Sequence, residues 1–249
     1  MIYATASVWL GLIVLLAWGV YHLWSGILQP KTVNGILLPG TLFAQLGRVV
    51  GLLITGATIQ DTALMGSNDK GEPSTGPPVR PKIPFFGPIV VALLPMLAIG
   101  LAMFTAVIHL GGPILERMPP DDLAKVLPSG VAAFWEQLRA LITLAEHTLE
   151  AVRQTNAAAW KPLLLVYLMT CFSVRMAPLP GNARGHLGAI AAVGTIAALI
   201  GTLSPRPAAV IAEVWPVVSL ATGWLVLLLL FSLVARGVVS TVQMIARLT

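Results

Sequence analysis

Long apolar stretches recur along the whole chain, and each is close to the length that crosses a lipid bilayer as a helix. A crossing needs roughly 20 mostly apolar residues, because about 30 Å of hydrocarbon is traversed at about 1.5 Å per residue. The stretches cover approximately residues 4–24, 35–57, 85–110, 161–177, 186–203 and 211–235. Because lipid satisfies no backbone polar group, we predict an all-α integral membrane protein with about six transmembrane helices.

The amino-acid composition indicates the same class of protein. Of the 249 residues, 57% are hydrophobic and 10% are charged, whereas soluble domains carry roughly 25% charged residues. The apolar stretches extend from end to end of the chain. Residues 1–249 are therefore predicted to form a single polytopic membrane domain, without a separate soluble catalytic unit.

Charge and the first apolar stretch indicate partners and location. The 15 Lys and Arg residues are scattered although the net charge is +5, so no nucleic-acid partner is expected. The first stretch has no basic region before it and no cleavage site, which favours a retained anchor. We expect a multi-pass protein of the bacterial inner (cytoplasmic) membrane, with its N-terminus inside. Its expected partners are the lipid bilayer and other membrane protein subunits.

Two segments between the apolar stretches differ from them in character. Residues 61–84 contain five prolines among polar residues, which predicts a polar loop because proline interrupts helices. Residues 121–156 are predicted to form an interfacial segment, with a helix over about 130–156 that follows Pro128 and is capped by Ser129.

The helix in this second segment is predicted to be amphipathic. Its apolar positions recur at helical spacing: Val131, Phe134, Trp135, Leu138, Leu141, Ile142, Ala145, Leu149 and Val152. Charged residues occupy the other side, as in a helix that lies on a membrane or on a helical bundle. Docking of a partner protein is the alternative, and Trp135 is then the candidate contact residue.

Tryptophans fall near the ends of several apolar stretches. They stand at positions 9, 24, 160, 215 and 224. Tryptophan is enriched where membranes meet water, since its ring is apolar and its indole N–H is polar. We therefore predict that these side chains form an interfacial belt.

The second apolar stretch carries the most informative pattern. Residues 37–57 read LLPGTLFAQLGRVVGLLITGA, in which Pro39 and Gly40 open an apolar run that ends at Thr55 and Gly56. Residues 173–184 read SVRMAPLPGNAR. Together these regions resemble the site-2 protease family of intramembrane zinc metalloproteases. That family has a Pro-Gly entrance, a His-Glu-x-x-His helix and a later Asp ligand, and the resemblance covers roughly residues 30 to 200.

The resemblance implies that the catalytic groups are replaced in this chain. Ala44, Gln45 and Arg48 stand at the His, Glu and His positions, and Asn182 stands at the Asp position. Histidines at i and i+4 hold zinc while the Glu takes a proton from the attacking water. Alanine has no donor atom, arginine is a fixed cation, and the amides are neither a general base nor a good zinc ligand. We therefore predict no catalytic residue, no metal site and no cofactor.

Arg48 is the most constrained of these residues. A charge in the middle of an apolar span costs at least about 2.5–3.5 kcal/mol unless it is compensated. We expect its guanidinium to face the bundle interior and to bind Asn182 or a carboxylate of this or another chain. Snorkelling toward the interface is the alternative. Arg48, Asn182, Arg175 and Trp135 are the structural or interaction candidates.

The function that this pattern predicts is that of a catalytically inactive pseudoprotease, a scaffold or accessory subunit of a membrane protein complex. An active intramembrane metalloprotease with non-standard ligands is one alternative. A transporter component is another, suggested by Arg48, Arg175 and Pro95. A subunit of an electron-transfer complex is a further alternative. Cys171 is the single cysteine, and its apolar neighbours predict a buried, inert thiol.

Overall fold

The computed structural model describes most of the chain, and the described residues are helical without any strand. They are residues 2–56, 87–117, 130–155, 160–177 and 206–246, together with 188, 190–192, 194–195 and 198–199. The helices are α1 (Ile2–Ile27), α2 (Pro30–Ile36), α3 (Leu38–Ile54), α4 (Gly87–Leu110), α5 (Gly112–Leu115), α6 (Val131–Gln154), α7 (Trp160–Arg175) and α8 (Arg206–Ala246). The described residues between 188 and 199 are also helical. The predicted loop over 61–84 lies outside the described residues, as does Asn182.

Three helices of the described chain are long and apolar enough to cross a membrane. These segments are Ala6–Ile27, Gly87–Leu110 and Glu213–Ala246, and the bent pair α2 and α3 is a fourth if it forms one span. The all-α prediction is confirmed for the described residues, and the long apolar helices support a membrane protein. α8 has 41 residues, or about 60 Å at 1.5 Å per residue, and continues past the predicted end at residue 235.

α1 and α8 pack side by side and run in the same direction. The indole N–H of Trp9 donates to Thr222 Oγ1 at 2.9 Å, and the indole N–H of Trp24 donates to Ser232 Oγ at 2.7 Å. Further along, the guanidinium of Arg236 lies against Gly26. Residue numbers rise together along both helices, so the two helices are parallel.

The prediction of an interfacial tryptophan belt is wrong for three of the five tryptophans. Trp9, Trp215 and Trp224 are buried inside the bundle, with Trp9 only 1% exposed. The indole N–H of Trp224 donates to Thr170 Oγ1 at 3.1 Å, which joins α8 to α7. An indole fits an apolar interior when a hydroxyl of a neighbouring helix accepts its hydrogen bond, and this explains the burial of Trp9 and Trp224.

α3 and α4 are antiparallel and approach each other closely at two glycines of α3. A Cβ placed on Gly47 would lie 2.6 Å from the Leu94 carbonyl oxygen, and one on Gly51 would lie 3.0 Å from Val91 Cα. These glycines are four residues apart and lie on one helical face, the small-residue arrangement that lets membrane helices pack backbone to backbone. α3 is therefore held tightly against α4.

α6 occupies nearly the range that was predicted for the amphipathic helix, and it packs on α8. Leu144 lies over Gly223 of α8, and the ring of Phe134 meets that of Trp9 edge-on at 5.7 Å. The predicted apolar face is divided, however. Leu141 and Ala145 are buried, while Val131, Trp135, Ile142 and Leu149 are exposed, because the contact with α8 is rotated toward Leu144, Thr148 and Ala151.

Candidate functional site

The second apolar stretch is not the continuous helix that was predicted. α2 and α3 meet at an angle of 81° on either side of Leu37. Pro39 has no N–H to donate to the carbonyl of Gly35, and its ring clashes with the preceding turn. The helix therefore ends at Ile36 and begins again at Leu38, with Pro39 in the first turn of α3, where a missing N–H costs nothing.

α7 supplies the hydrogen bonds that this bend leaves open. In an uninterrupted helix the Ile36 carbonyl would accept from the backbone N–H of Gly40. Here it accepts from Tyr167 Oη at 3.0 Å and from Cys171 Sγ at 3.4 Å. Cys171 is fully buried, as predicted. The bend is thus fixed by side chains from a segment more than 130 residues away in the sequence.

A buried polar cluster joins α1, α2 and α7 next to the bend. Arg175 Nη2 donates to Asn34 Oδ1 at 2.6 Å, and Tyr21 Oη donates to the same oxygen at 3.4 Å. The Arg175 guanidinium carbon also lies 5.6 Å from the centre of the Tyr21 ring, within the range of a cation–π interaction. Asn34 and Arg175 are both buried, so these contacts compensate a charge that would otherwise be costly.

Gly40 is required by this arrangement for steric reasons. A Cβ at this position would collide with the Cys171 carbonyl oxygen and lie 2.9 Å from Arg175 Cγ. The Pro39 and Gly40 pair therefore has two separate effects. Proline bends the chain, and glycine lets α7 approach the first turn of α3.

The residues that the resemblance places at catalytic positions lie one turn further along α3. Ala44 and Gln45 are buried, with Gln45 only 5% exposed, and Arg48 is half-buried. Both polar atoms of the Gln45 amide lack a hydrogen-bond partner among the described residues. Arg48 likewise makes no hydrogen bond or ion pair with any described residue. The predicted contact between Arg48 and Asn182 lies outside the described residues.

Metal-binding groups are not assembled in the part of the chain that the structure describes. No three His, Cys, Asp or Glu side chains lie close enough together there to hold an ion. Ala44 presents only a methyl group to the interior, and the Gln45 amide oxygen is a weak ligand for a transition metal. The arrangement favours hydrogen bonding to a polar or anionic group over metal chemistry.

Trp135, the remaining candidate, stands apart from this site. Its side chain is 56% exposed on α6, and the Arg139 guanidinium carbon lies 5.8 Å from the centre of its ring. Tyr21, Asn34 and Tyr167 form the contacts around the bend and were not predicted from the sequence. The sequence signal that could have indicated this cluster was Asn34, a polar amide in an apolar stretch shortly before the helix-breaking pair Pro39 and Gly40.

Comparisons with known proteins returned no match: no protein-family model, no curated protein and no solved structure resembles the chain significantly.

Proposed function

We propose that this chain is a non-catalytic, site-2 protease-like membrane protein that serves as a scaffold or accessory subunit of a membrane protein complex. The observation that carries the proposal is the pair Gln45 and Arg48 on α3. They are three residues apart and so lie on neighbouring parts of one helical face. Neither has a polar partner among the described residues.

Leaving the Gln45 amide and the Arg48 guanidinium without hydrogen bonds costs free energy, which favours a partner for them. A buried amide without hydrogen bonds costs about 1–3 kcal/mol, and an uncompensated arginine within a membrane costs at least about 2.5–3.5 kcal/mol. A carboxylate on a span of another subunit would accept hydrogen bonds from the half-buried Arg48 guanidinium, whereas the enclosed Gln45 amide is reached only from within this chain. Asn182 of the same chain is the competing partner.

The loss of catalysis follows from the side chains themselves. Ala44 contributes no ligand, Gln45 has no basic oxygen, and a zinc ion would be repelled by Arg48. A zinc-bound water would therefore have neither its ligands nor its proton acceptor at this place.

Metal analysis tests the proposed loss of catalysis. The native protein is purified beside a variant carrying Ala44→His, Gln45→Glu, Arg48→His and Asn182→Asp, and zinc content and peptidase activity are measured. Zinc bound only by the variant is expected. Stoichiometric zinc in the native protein would overturn the proposal, and zinc in neither protein would remove the family assignment.

Site-directed crosslinking tests the scaffold role. Val49 is partly exposed and lies one helical turn after Gln45 and next to Arg48, so a photoreactive residue there reports what contacts this face. We expect crosslinks to a span of another protein that carries an intramembrane Asp or Glu, and their loss in Arg48→Ala. Arg153→Ala, which changes an exposed arginine on α6, is the matched control. Crosslinks to residues 178–187 of the same chain would assign the partner role to Asn182 and contradict a carboxylate from another subunit.

The number of crossings is proposed to be five. Six alternating spans, with α1 as the first and α8 as the last, would make these two helices antiparallel, but their contacts are parallel. α7 has 16 residues, or about 24 Å, which is shorter than the hydrocarbon core of about 30 Å. We therefore count α7 and the described helical residues between 188 and 199 as one crossing in place of two, within a bacterial cytoplasmic membrane.

A further inference from the structure

An apolar cavity of about 430 Å³ lies between α1, α4 and α8, and Met176 and Ile190 complete its wall. Its walls include Ile13 of α1, Met103 of α4 and Val217 of α8, and every lining residue is apolar. Water needs two or more polar partners to occupy a cavity, so this space is suited to an apolar guest. Its volume falls in the range of roughly 300–1,000 Å³ that is typical of ligand pockets.

The cavity opens toward the lipid. Leu97 and Leu101 line it and are also 55% and 68% exposed on the outer side of α4. In a membrane-spanning helix such exposure means contact with hydrocarbon. A guest can therefore enter sideways from the bilayer without crossing water.

The length of the cavity matches one leaflet of a bilayer. Its lining on α4 extends from Leu93 to Phe104, which is about 16 Å along the helix at 1.5 Å per residue. Half of a hydrocarbon core of about 30 Å is about 15 Å. An acyl chain of a lipid in one leaflet is therefore as long as the cavity and chemically like its walls.

We propose that this cavity holds one acyl chain of a membrane phospholipid, inserted between α1, α4 and α8. The methionines of the wall, among them Met96 and Met103, suit a flexible guest because their side chains adapt to irregular shapes. The cavity is lined by α1, α4 and α8 together with Met176 and Ile190, and the inference is independent of the scaffold role assigned to α3.

Two glycines allow a closely matched test. Gly100 lines the cavity, and a Cβ placed there would meet no atom within 4 Å. Gly11 of α1 has equally open space but does not line the cavity. Gly100→Phe therefore adds a ring at the cavity wall, on a Cβ that meets no neighbouring atom, while Gly11→Phe adds the same ring elsewhere. Gly100→Leu is a milder filling variant, to be used if the phenylalanine variant fails to fold.

The experiment uses the full chain in vesicles of phosphatidylethanolamine and phosphatidylglycerol, with a trace of a phosphatidylethanolamine whose acyl chain carries a diazirine. After illumination, labelled peptides are located by mass spectrometry. We expect labelling of cavity-wall residues in the native protein and in Gly11→Phe, reduced about tenfold in the filled variant, as for a loss of about 1.4 kcal/mol in binding. Equal labelling of the wall in both variants, labelling of only the outer surface, or a cavity crosslinked to another protein segment would overturn the proposal.

Discussion

The Arg175 guanidinium donates a 2.6 Å hydrogen bond to Asn34 Oδ1 across a sequence separation of 141 residues, and both side chains are buried. This contact joins the short helix before the bend to the last turn of α7. It satisfies a buried arginine with an amide, helped by the ring of Tyr21. The contact therefore stabilises the bend in addition to compensating a charge.

Asn34→Leu should destabilise the protein strongly. The substitution leaves the Arg175 guanidinium without the amide oxygen, and a hydrogen bond to a charged group contributes about 1.5–3 kcal/mol. Unfolding of the purified protein, followed in a denaturing detergent titration, measures the loss. Asn34→Gln, which keeps the amide on a longer stem, should recover part of the stability. Equal stability of Asn34→Leu and the native protein would contradict the role of this contact.

Replacing glycine by alanine should destabilise the protein where α3 lies against a neighbouring helix, and should not do so at an open position. Gly40→Ala and Gly47→Ala should each destabilise the protein by about 1–3 kcal/mol, because the added methyl group meets the backbone of α7 or α4. Gly35→Ala is the control, since a Cβ there meets nothing within 4 Å. It should be neutral or stabilising by up to about 1 kcal/mol. Thermal unfolding of the three variants in one detergent distinguishes these outcomes, and similar effects at all three positions would contradict the close packing.

Buried and exposed tryptophans should respond differently to loss of the indole N–H. Trp9→Phe removes the hydrogen bond to Thr222 and part of the contact with Trp215, so a loss of about 1–2 kcal/mol is expected. Trp135→Phe changes an exposed side chain and should leave stability within about 0.5 kcal/mol of the native value. Stability measured under identical conditions provides the comparison. A larger effect of Trp135→Phe would contradict the exposed position of this side chain.

The parallel arrangement of α1 and α8 predicts that the two chain ends lie on opposite sides of the membrane. In a Cys171→Ser background, single cysteines are introduced by Ile2→Cys and by Ala246→Cys, at the ends of the two helices. A membrane-impermeant maleimide applied to intact cells stripped of any outer envelope should label one of the two variants and spare the other. Labelling of both, or labelling of neither until the membrane is permeabilised, would restore an even number of crossings.

Length and apolarity were sufficient to predict α1 and α4 closely, because a membrane restricts long apolar segments to helices. The helical spacing of apolar residues predicted α6. Pro39 was the sequence signal for the bend at Leu37. The prediction of a continuous helix used the average apolarity of residues 35–57, which takes no account of the N–H that Pro39 lacks. The pairing of Arg175 with Asn34 connects residues that are far apart in the sequence, and no local pattern specifies it. The parallel direction of α1 and α8 was also not predictable. The length of an apolar segment shows that it can cross a membrane but not from which side it enters the membrane.

The hydrogen bond from Cys171 to the Ile36 carbonyl makes the single cysteine of the chain an internal reporter of motion. A buried thiol reacts with a small alkylating reagent only while the surrounding structure is transiently open. The rate at which Cys171 is modified in the native chain therefore reports how often α7 separates from the bend between α2 and α3. Comparing that rate before and after a partner binds would show whether assembly locks this junction or loosens it.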